Sequence, residues 1–192
     1  MSHDRRASAI SEGLFVLVMS AFLTLPAAAC GLAMDRGAGP GASPSPARAG
    51  GRPRPNGSAT GVVVSTVDGD TIHVRVGGGE EKVRLIGMDT PEVDWYGGRA
   101  ECYGAAAGLY TRHRLLGRAV RLRFDSGLRD VYGRLLAYVY VGRELFNLTL
   151  VRRGFATNDP VPPDTRMETT FAAAEAGARA AGRGLWSKCR PA

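Results

Sequence analysis

The stretch that sets the fold is residues 62–76, which read Val62-Val63-Val64-Ser65-Thr66-Val67-Asp68-Gly69-Asp70-Thr71-Ile72-His73-Val74-Arg75-Val76. The first half is rich in β-branched residues and ends at Asp-Gly, a strong hairpin signal. The second half alternates apolar and polar residues, as a strand buried on one face does. Gly77-Gly78-Gly79 then turns the chain before a third apolar run, Lys82 to Met88. The pattern predicts a meander of three strands.

The remainder of the domain supplies further strands with helices between them. Ala119 to Phe124 alternates as a strand, with Val120, Leu122 and Phe124 on one face, and Leu135 to Val141 is predicted as a further strand. Helical spacing or a glycine at the end predicts helices at Tyr103 to Leu116, residues 146–153 and Arg166 to Ala181. Five short strands and about three helices predict an α+β domain built on a five-stranded, closed β-barrel of the OB type.

The N-terminal third is predicted to lie outside this domain. Residues 1–29 resemble an export signal, with Arg5 and Arg6 before a short apolar run and three alanines at its end. Residues 30–59 have almost no large apolar side chains, so we expect a disordered linker before a folded domain at 60–192. A retained membrane anchor is the alternative to cleavage. Cys30 also resembles the acylated cysteine of a bacterial lipoprotein, so soluble secretion and a lipid tether on the extracellular face both remain open.

Charge and cysteine content add two expectations. The chain has a net charge of +7, and residues 60–192 contain 19 Arg and Lys against 15 Asp and Glu. This modest excess permits a polyanionic partner without requiring one. If Cys30 is removed or acylated, Cys102 and Cys189 remain as an even pair in an oxidising compartment. We expect them to form a disulfide, with two free thiols as the alternative.

Five charged residues at the ends of the predicted elements carry the chemistry: Asp70, Arg84, Asp89, Glu92 and Arg134. Carboxylate oxygens suit a hard cation such as Ca²⁺, and arginine suits a phosphate that gains charge in a transition state. All five residues except Arg84, whose charge within an apolar strand needs a partner, also have a simpler interpretation. The two aspartates can be ordinary turn residues, the glutamate can be an ordinary solvent-exposed acid, and Arg134 can simply pair with Asp130. Their joint occurrence favours a phosphodiesterase site.

These residues belong to a longer set of motifs. It comprises Val67-Asp68-Gly69-Asp70-Thr71, Arg84-Leu85, Asp89-Thr90-Pro91-Glu92, Tyr103-Gly104, Asp130 with Tyr132-Gly133-Arg134, Ala137-Tyr138, Leu150-Val151-Arg152 and Leu185-Trp186-Ser187. In order, spacing and chemistry the set resembles the staphylococcal (micrococcal) nuclease family, the thermonucleases, from about Gly61 to Ser187. The resemblance implies the same five-stranded barrel with three helices.

The resemblance also implies roles at matching positions. Asp70 and Asp89 would bind one Ca²⁺ through their carboxylates, with the Thr90 carbonyl as a further ligand and Asp68 as an acid close to the metal. Glu92 matches the proposed general base. Arg84 and Arg134 would bind the scissile phosphate, and Tyr132 would contact the nucleotide. Relatives of this kind cleave DNA and RNA with little sequence preference and leave 3′-phosphate ends; we expect a monomer.

One segment departs from the family. Where the type member has tyrosines of the nucleotide pocket, this chain has Asn158-Asp159-Pro160-Val161-Pro162. Loss of stacking rings predicts weaker binding of a base, unless Trp95 and Tyr96 compensate. Two other classes of protein remain as alternatives. One is a catalytically inactive module of the same barrel that binds nucleic acid or protein, and the other is a surface-anchored structural lipoprotein.

Overall fold

The computed structural model describes residues 53–94 and 100–189. The predicted meander is present as strands β1 (Ser58–Thr66), β2 (Thr71–Val76) and β3 (Gly79–Leu85), paired antiparallel in sequence order. The alternation of β2 explains this pairing, because its apolar residues are buried while His73 and Arg75 face outward. The structure therefore confirms the three-stranded meander.

Two later strands complete the barrel. They are β5 (Ala119–Arg123), which pairs with β1, and β6 (Leu135–Val141), which pairs with β5. A parallel pairing between β3 and β6 then closes the sheet, with Val83 opposite Leu135. The inward side chains of all five strands form one apolar core that includes Ile72, Leu85 and Leu122. The prediction of a closed five-stranded barrel is confirmed.

Helices cover the outside of this barrel. They are α1 (Gly104–Leu115), α2 (Phe146–Arg153), α3 (Glu168–Ala180) and the single turn α4 (Leu185–Lys188). The three longer helices agree with the prediction to within about two residues at each end. In the parts of the chain that the structure describes, no helix is both long and apolar enough to cross a membrane.

One predicted strand was wrong in its extent. The run from Lys82 to Met88 is divided, because β3 ends at Leu85 and a separate strand β4 (Gly87–Asp89) follows. The division occurs at Gly87, whose φ of 79° turns the chain out of the barrel. β4 then pairs with β8 (Thr157–Asp159), a short strand that the sequence did not predict. The short strand β7 (Glu144–Leu145) pairs antiparallel with β6 and was also not predicted.

The N-terminal boundary lies slightly earlier than expected. β1 begins at Ser58, and Ala59 is buried, so the last residues assigned to the linker belong to the sheet. The export signal at residues 1–29, Cys30 and most of the linker fall outside the described residues. Those assignments therefore stay predictions.

Candidate active site

The turn between β1 and β2 carries the first acids of the site. The Asp68 carboxylate accepts the backbone N–H groups of Asp70 at 3.0 Å and Thr71 at 2.6 Å, which fixes the turn. From helix α1, the buried Thr111 hydroxyl donates to the Gly69 carbonyl at 2.7 Å. The side chain of Asp68 therefore contributes through the shape of the turn, and α1 holds that turn in place.

Asp70 directly precedes β2, and both oxygens of its buried carboxylate accept hydrogen bonds. One oxygen accepts the Thr90 backbone N–H at 3.0 Å and the Thr90 hydroxyl at 2.9 Å. The other accepts the Thr71 hydroxyl at 3.0 Å and an Arg84 N–H. Burial raises the pKa of Asp70 to about 6 against the opposing effect of Arg84, and the nearby Asp68 adds to the rise.

Arg84, on β3, joins the two predicted metal ligands. One of its terminal nitrogens contacts Asp70 and the other contacts Asp89, at the end of β4. The Asp70 side chain is 2% exposed, whereas that of Asp89 is 47% exposed, so Asp70 lies behind the guanidinium and Asp89 faces the solvent. Burial lowers the pKa of Arg84, but the adjacent carboxylates outweigh that effect, and the guanidinium stays charged.

The chemistry of this cluster fits the hard cation that the resemblance implies. Within the described residues, no three His, Cys, Asp or Glu side chains come together that would hold a metal ion by themselves. A cation here would therefore rely on Asp70 and Asp89, the Thr90 carbonyl, and oxygens of water and substrate, which is coordination that Ca²⁺ accepts. Four acids (Asp68, Asp70, Asp89 and Glu92) surround the single guanidinium of Arg84, so the local charge also favours a divalent cation.

Glu92, the predicted base, is held in place by hydrogen bonds of its backbone. Its N–H donates to the Glu101 carboxylate at 3.0 Å, and its carbonyl accepts the Glu101 N–H at 3.0 Å. A Cβ at Gly104 would meet the Glu92 carbonyl oxygen at 2.3 Å, so only glycine allows α1 to begin this close. Burial raises the pKa of Glu92, and the negative charges of Asp70 and Asp89 add to the rise.

The loop between β5 and β6 brings in the second arginine. The Arg134 Nε donates to Asp130 at 2.6 Å, and the Arg134 backbone N–H donates to the same carboxylate at 2.9 Å. Burial opposes ionisation of Asp130, but these hydrogen bonds prevail and lower its pKa. The Tyr132 ring is 81% exposed, and the Arg134 guanidinium lies 5.5 Å from its centroid. Arg134 therefore has a fixed orientation beside an exposed aromatic ring.

One cleft of about 500 Å³ collects these groups. The predicted site residues that line it are Arg84, Asp89, Glu92, Tyr132 and Arg134. Asp70, Asp68 and Thr90 lie behind this wall and support it through Arg84 and the hairpin turn. The structure therefore brings the candidate residues into two layers, one facing the cleft and one buried beneath it.

The floor of the cleft shows the departure from the family. Asp159 and Val161 line the cleft, and both belong to the segment that replaces the tyrosines of the family. The side chain of Val161 is exposed. Among the described lining residues Tyr132 is the only aromatic one. Trp95 and Tyr96, offered as substitutes, lie outside the described residues. The apolar residues that line the described part of the cleft include Leu136, Met88 and Val161.

Three supporting residues were not found from the sequence. Glu101 holds the Glu92 backbone, Thr111 holds the Gly69 carbonyl, and the cleft residue Asp164 accepts the Gly127 N–H at 2.6 Å. Each partner is between 9 and 42 positions away in the chain, and no local pattern signals such a contact. The predicted cysteines Cys102 and Cys189 form a disulfide that joins the start of α1 to the end of α4.

Comparison with known proteins gives a consistent result. Residues 82–188 match the family model described as Staphylococcal nuclease homologue. A thermonuclease of Staphylococcus intermedius is 37% identical over 127 residues, which cover 66% of this chain and 76% of the relative. A thermonuclease of Staphylococcus hyicus is 35% identical over 125 residues, covering 65% and 74%. Endonuclease YncB of Bacillus subtilis (strain 168) is 36% identical over 124 residues, covering 64% and 59%.

Proposed function

The chain belongs to the staphylococcal nuclease family and is a phosphodiester hydrolase, and from that premise we propose that it cleaves DNA and RNA in a Ca²⁺-dependent reaction that leaves 3′-phosphate ends. The observation that carries the proposal is the cleft, where the guanidinium groups of Arg84 and Arg134 and the carboxylates of Asp89 and Glu92 line one cavity large enough for a nucleotide. A module that only bound nucleic acid would not need an acid at the position of Glu92. Relatives named as thermonucleases and endonucleases agree with catalysis.

The carboxylates of Asp70 and Asp89 and the carbonyl of Thr90 are the proposed ligands of the ion. When bound, Ca²⁺ supplies positive charge that polarises a phosphoryl oxygen. The fold positions these ligands, because Thr90 donates two hydrogen bonds to Asp70 and β4, which ends at Asp89, pairs with β8. Flexible oxygen coordination is compatible with one buried and one half-exposed carboxylate.

Glu92 is the proposed acceptor of the proton of the attacking water. The water oxygen forms a bond to phosphorus and its proton passes to the Glu92 carboxylate. The bond from phosphorus to the 5′ oxygen breaks, the 5′ oxygen takes up a proton from solvent to leave as a hydroxyl, and the phosphate stays on the 3′ oxygen. The paired hydrogen bonds with Glu101 support this role, since they restrict the Glu92 backbone while its side chain faces the cleft. A general base of this kind contributes roughly 10² to 10⁴ in rate.

Arg84 and Arg134 are the proposed donors to the phosphate oxygens. They lie on β3 and on the loop before β6, and the parallel pairing of those strands brings them to the same cleft. Each is anchored by a carboxylate, which lowers the entropy lost when the guanidinium binds a phosphate. Such contacts reach the backbone of the substrate and carry no sequence information, in agreement with broad specificity.

Cleavage assays on the purified full chain test the proposal. Single- and double-stranded DNA and RNA are incubated with Ca²⁺ or with a chelator, and product ends are analysed for a 3′ phosphate. We expect Ca²⁺-dependent cleavage, with kcat lowered by about 10² to 10³ in Glu92→Gln and by a similar factor in Arg134→Ala. Glu80→Gln is the matched control, because Glu80 contacts His73 and does not line the cleft.

The results separate the alternatives. Cleavage that persists in both variants would refute the roles given to Glu92 and Arg134. Binding of nucleic acid without cleavage under any divalent cation would favour the inactive binding module instead.

We further propose export of a monomer. The support is the signal-like segment at residues 1–29 together with the disulfide between Cys102 and Cys189, since structural disulfides persist in oxidising compartments. Mass spectrometry of the protein recovered from outside the cell decides the form of the N-terminus. An acylated Cys30 would indicate a lipid tether, whereas an unmodified Cys30 or a start after it would indicate soluble secretion. An intact residue 1 would refute export by this signal.

A further inference from the structure

A positively charged groove, separate from the catalytic cleft, lies on the barrel. It has a volume of about 340 Å³ and is lined by Arg54, Asn56, Gly57, Ser58, Arg121 and Arg123. We call it the arginine groove. We propose that it binds backbone phosphates of a nucleic-acid strand whose scissile bond lies in the cleft, an inference that rests on the proposed nuclease function.

The strand register creates this groove. Ser58 of β1 lies opposite Arg123 of β5, and Thr60 lies opposite Arg121, so the two arginines project from one face with small polar neighbours. Their inward neighbour Leu122 is buried in the core, which fixes the outward direction of both guanidinium groups. The sheet therefore presents the guanidinium groups of Arg121 and Arg123, two residues apart, beside the short side chains of Ser58 and Thr60.

The turn before β1 adds the third arginine. The Gly57 N–H donates to the Arg54 carbonyl at 3.0 Å, and a Cβ at position 57 would meet the Arg54 Cγ at 3.0 Å. The absent side chain thus lets Arg54 pack over the turn. The Phe124 N–H donates to the Gly57 carbonyl at 3.0 Å and joins this turn to the end of β5. Arg54 is held beside Arg123 by these backbone bonds.

Among the residues that the structure describes, no acid neutralises the charge of the groove. In the described part of the chain, no carboxylate forms an ion pair with Arg54, Arg121 or Arg123, and no acid lines the groove. The Arg121 guanidinium stacks on the Tyr140 ring at 4.2 Å, which restrains its plane and leaves its N–H edge available. Three unpaired guanidinium groups in a concave surface fit a row of phosphates.

A short wall joins the groove to the cleft. The Asp125 carboxylate contacts Arg166 at 2.9 Å, and Arg166 in turn donates to the Asn56 side chain at 2.5 Å. Two residues later the Gly127 N–H donates to Asp164, which lines the cleft. Arg123 and Gly127 are four residues apart, so their Cα atoms lie within about 15 Å. A stacked strand advances about 3.4 Å per nucleotide, so roughly four nucleotides would span this distance.

A nucleic acid fits the groove better than an anionic lipid surface does. Peripheral membrane sites place Trp, Phe or Leu side chains beside the basic ones, and none of the described groove residues is a large apolar residue. The groove also shares a wall with a cleft assigned to phosphodiester cleavage. The arginine groove would therefore increase affinity for long substrates and leave the reaction at the scissile bond unchanged.

The test compares a short and a long substrate on the full chain. Values of kcat/KM are measured for a thymidine dinucleotide and for a single-stranded 20-mer, in the wild type and in an Arg121→Ala/Arg123→Ala double variant. Binding of the 20-mer is measured separately by fluorescence anisotropy at several salt concentrations, with chelator present to prevent cleavage. Arg121→Lys/Arg123→Lys retains the charge, and Arg75→Ala, opposite Glu80 across β2 and β3, is the matched control.

We expect the double alanine variant to keep its kcat/KM on the dinucleotide within about twofold. On the 20-mer we expect a loss of about tenfold or more at low salt, and a salt-dependence slope of binding smaller by about 1.4, since each single-strand phosphate contact contributes about 0.7. The lysine variant and Arg75→Ala should stay near the wild type. Equal losses on both substrates would mean that the arginines act through the fold and would overturn the inference.

Two further outcomes would also overturn it. One is unchanged 20-mer binding in the alanine variant, and the other is binding to vesicles of phosphatidylglycerol that depends on Arg121 and Arg123 while 20-mer binding does not. Failure of the nuclease assignment gives a different result, because the wild type would then cleave neither substrate. The anisotropy series would still show whether the groove binds nucleic acid.

Discussion

Gly69 packs closely against the buried side chain of Thr90, and this contact yields a prediction for Gly69→Ala. An alanine Cβ at position 69 would lie 2.7 Å from the Thr90 hydroxyl oxygen, 2.8 Å from its Cγ2 and 2.9 Å from its Cβ. All three distances are shorter than real Cβ contacts, so Thr90 must move by several tenths of an ångström. Thr90 is buried and holds Asp70 by two hydrogen bonds. The substitution should therefore disturb both packing and the proposed metal ligands.

The size of the effect follows from the type of contact. Overpacking a rigid interior costs about 1 to 3 kcal/mol in the free energy of unfolding. For a folded part of this size that corresponds to a fall in Tm of about 3 to 15 °C. Displacement of the groups around a catalytic centre by a fraction of an ångström should lower kcat/KM by about tenfold to a hundredfold. Differential scanning calorimetry and the cleavage assay on a 20-mer measure the two effects.

Gly177→Ala is the matched control for Gly69→Ala. Gly177 lies inside α3, where a new Cβ would meet no atom within 4 Å. The same substitution there should raise stability by about 0.5 to 1 kcal/mol, since alanine favours a helix interior, and should leave activity unchanged. A Gly69→Ala protein with the Tm and kcat/KM of the wild type would refute the reasoning, because it would show that Thr90 moves freely without affecting Asp70.

Three further predictions concern the scaffold. Asn147→Ala should lower the free energy of unfolding by about 2 to 4 kcal/mol in urea titration, because its buried amide bonds the Val139 N–H and the carbonyls of Ile86 and Ala137; a loss below 0.5 kcal/mol would contradict this. Replacing both Cys102 and Cys189 by Ser should cost about 2 to 5 kcal/mol, since the disulfide closes a long loop with a sequence separation of 87; an unchanged Tm would argue against a structural role. In Asp130→Asn the stability supplied by ionised Asp130 is lost at all pH values. The pKa of Asp130 is lowered in the folded state. The stability that its ionised form supplies is therefore present above its ordinary pKa of 3.8 and is lost as the pH falls through the lower folded pKa. The variant should accordingly show a smaller fall in stability below about pH 4 than the wild type. Parallel acid-titration curves for the two proteins would contradict this assignment.

The local features of this protein follow from its sequence. Strand alternation and glycine turns predict the meander, because a residue's face in a strand depends only on its position along that strand. The helices at 104–115 and 146–153 follow in the same way from spacing and from the glycines after them. The residue types of the site were also evident, since acids and arginines at element ends are signals within a few residues.

Tertiary structure determined the arrangement of those groups. The parallel pairing of β3 with β6 brings Arg84 and Arg134 to one cleft, although they are fifty positions apart in the chain. The positive φ of Gly87 ended β3 early and produced β4, a break that the apolar run from Lys82 to Met88 concealed. The contact between Glu92 and Glu101 likewise joins residues nine positions apart, and no local pattern signals it.

The arginine groove is a second site that the sequence alone did not predict. In the sequence, Arg121 and Arg123 are only the exposed positions of a strand, and Arg54 lies in a segment assigned to the linker. They become one site because β1 pairs with β5, so that Ser58 lies opposite Arg123. Side-chain chemistry and the period of each element are local properties that the sequence states directly. Which elements become neighbours depends on burying the core, and that is decided by the packing of the whole chain.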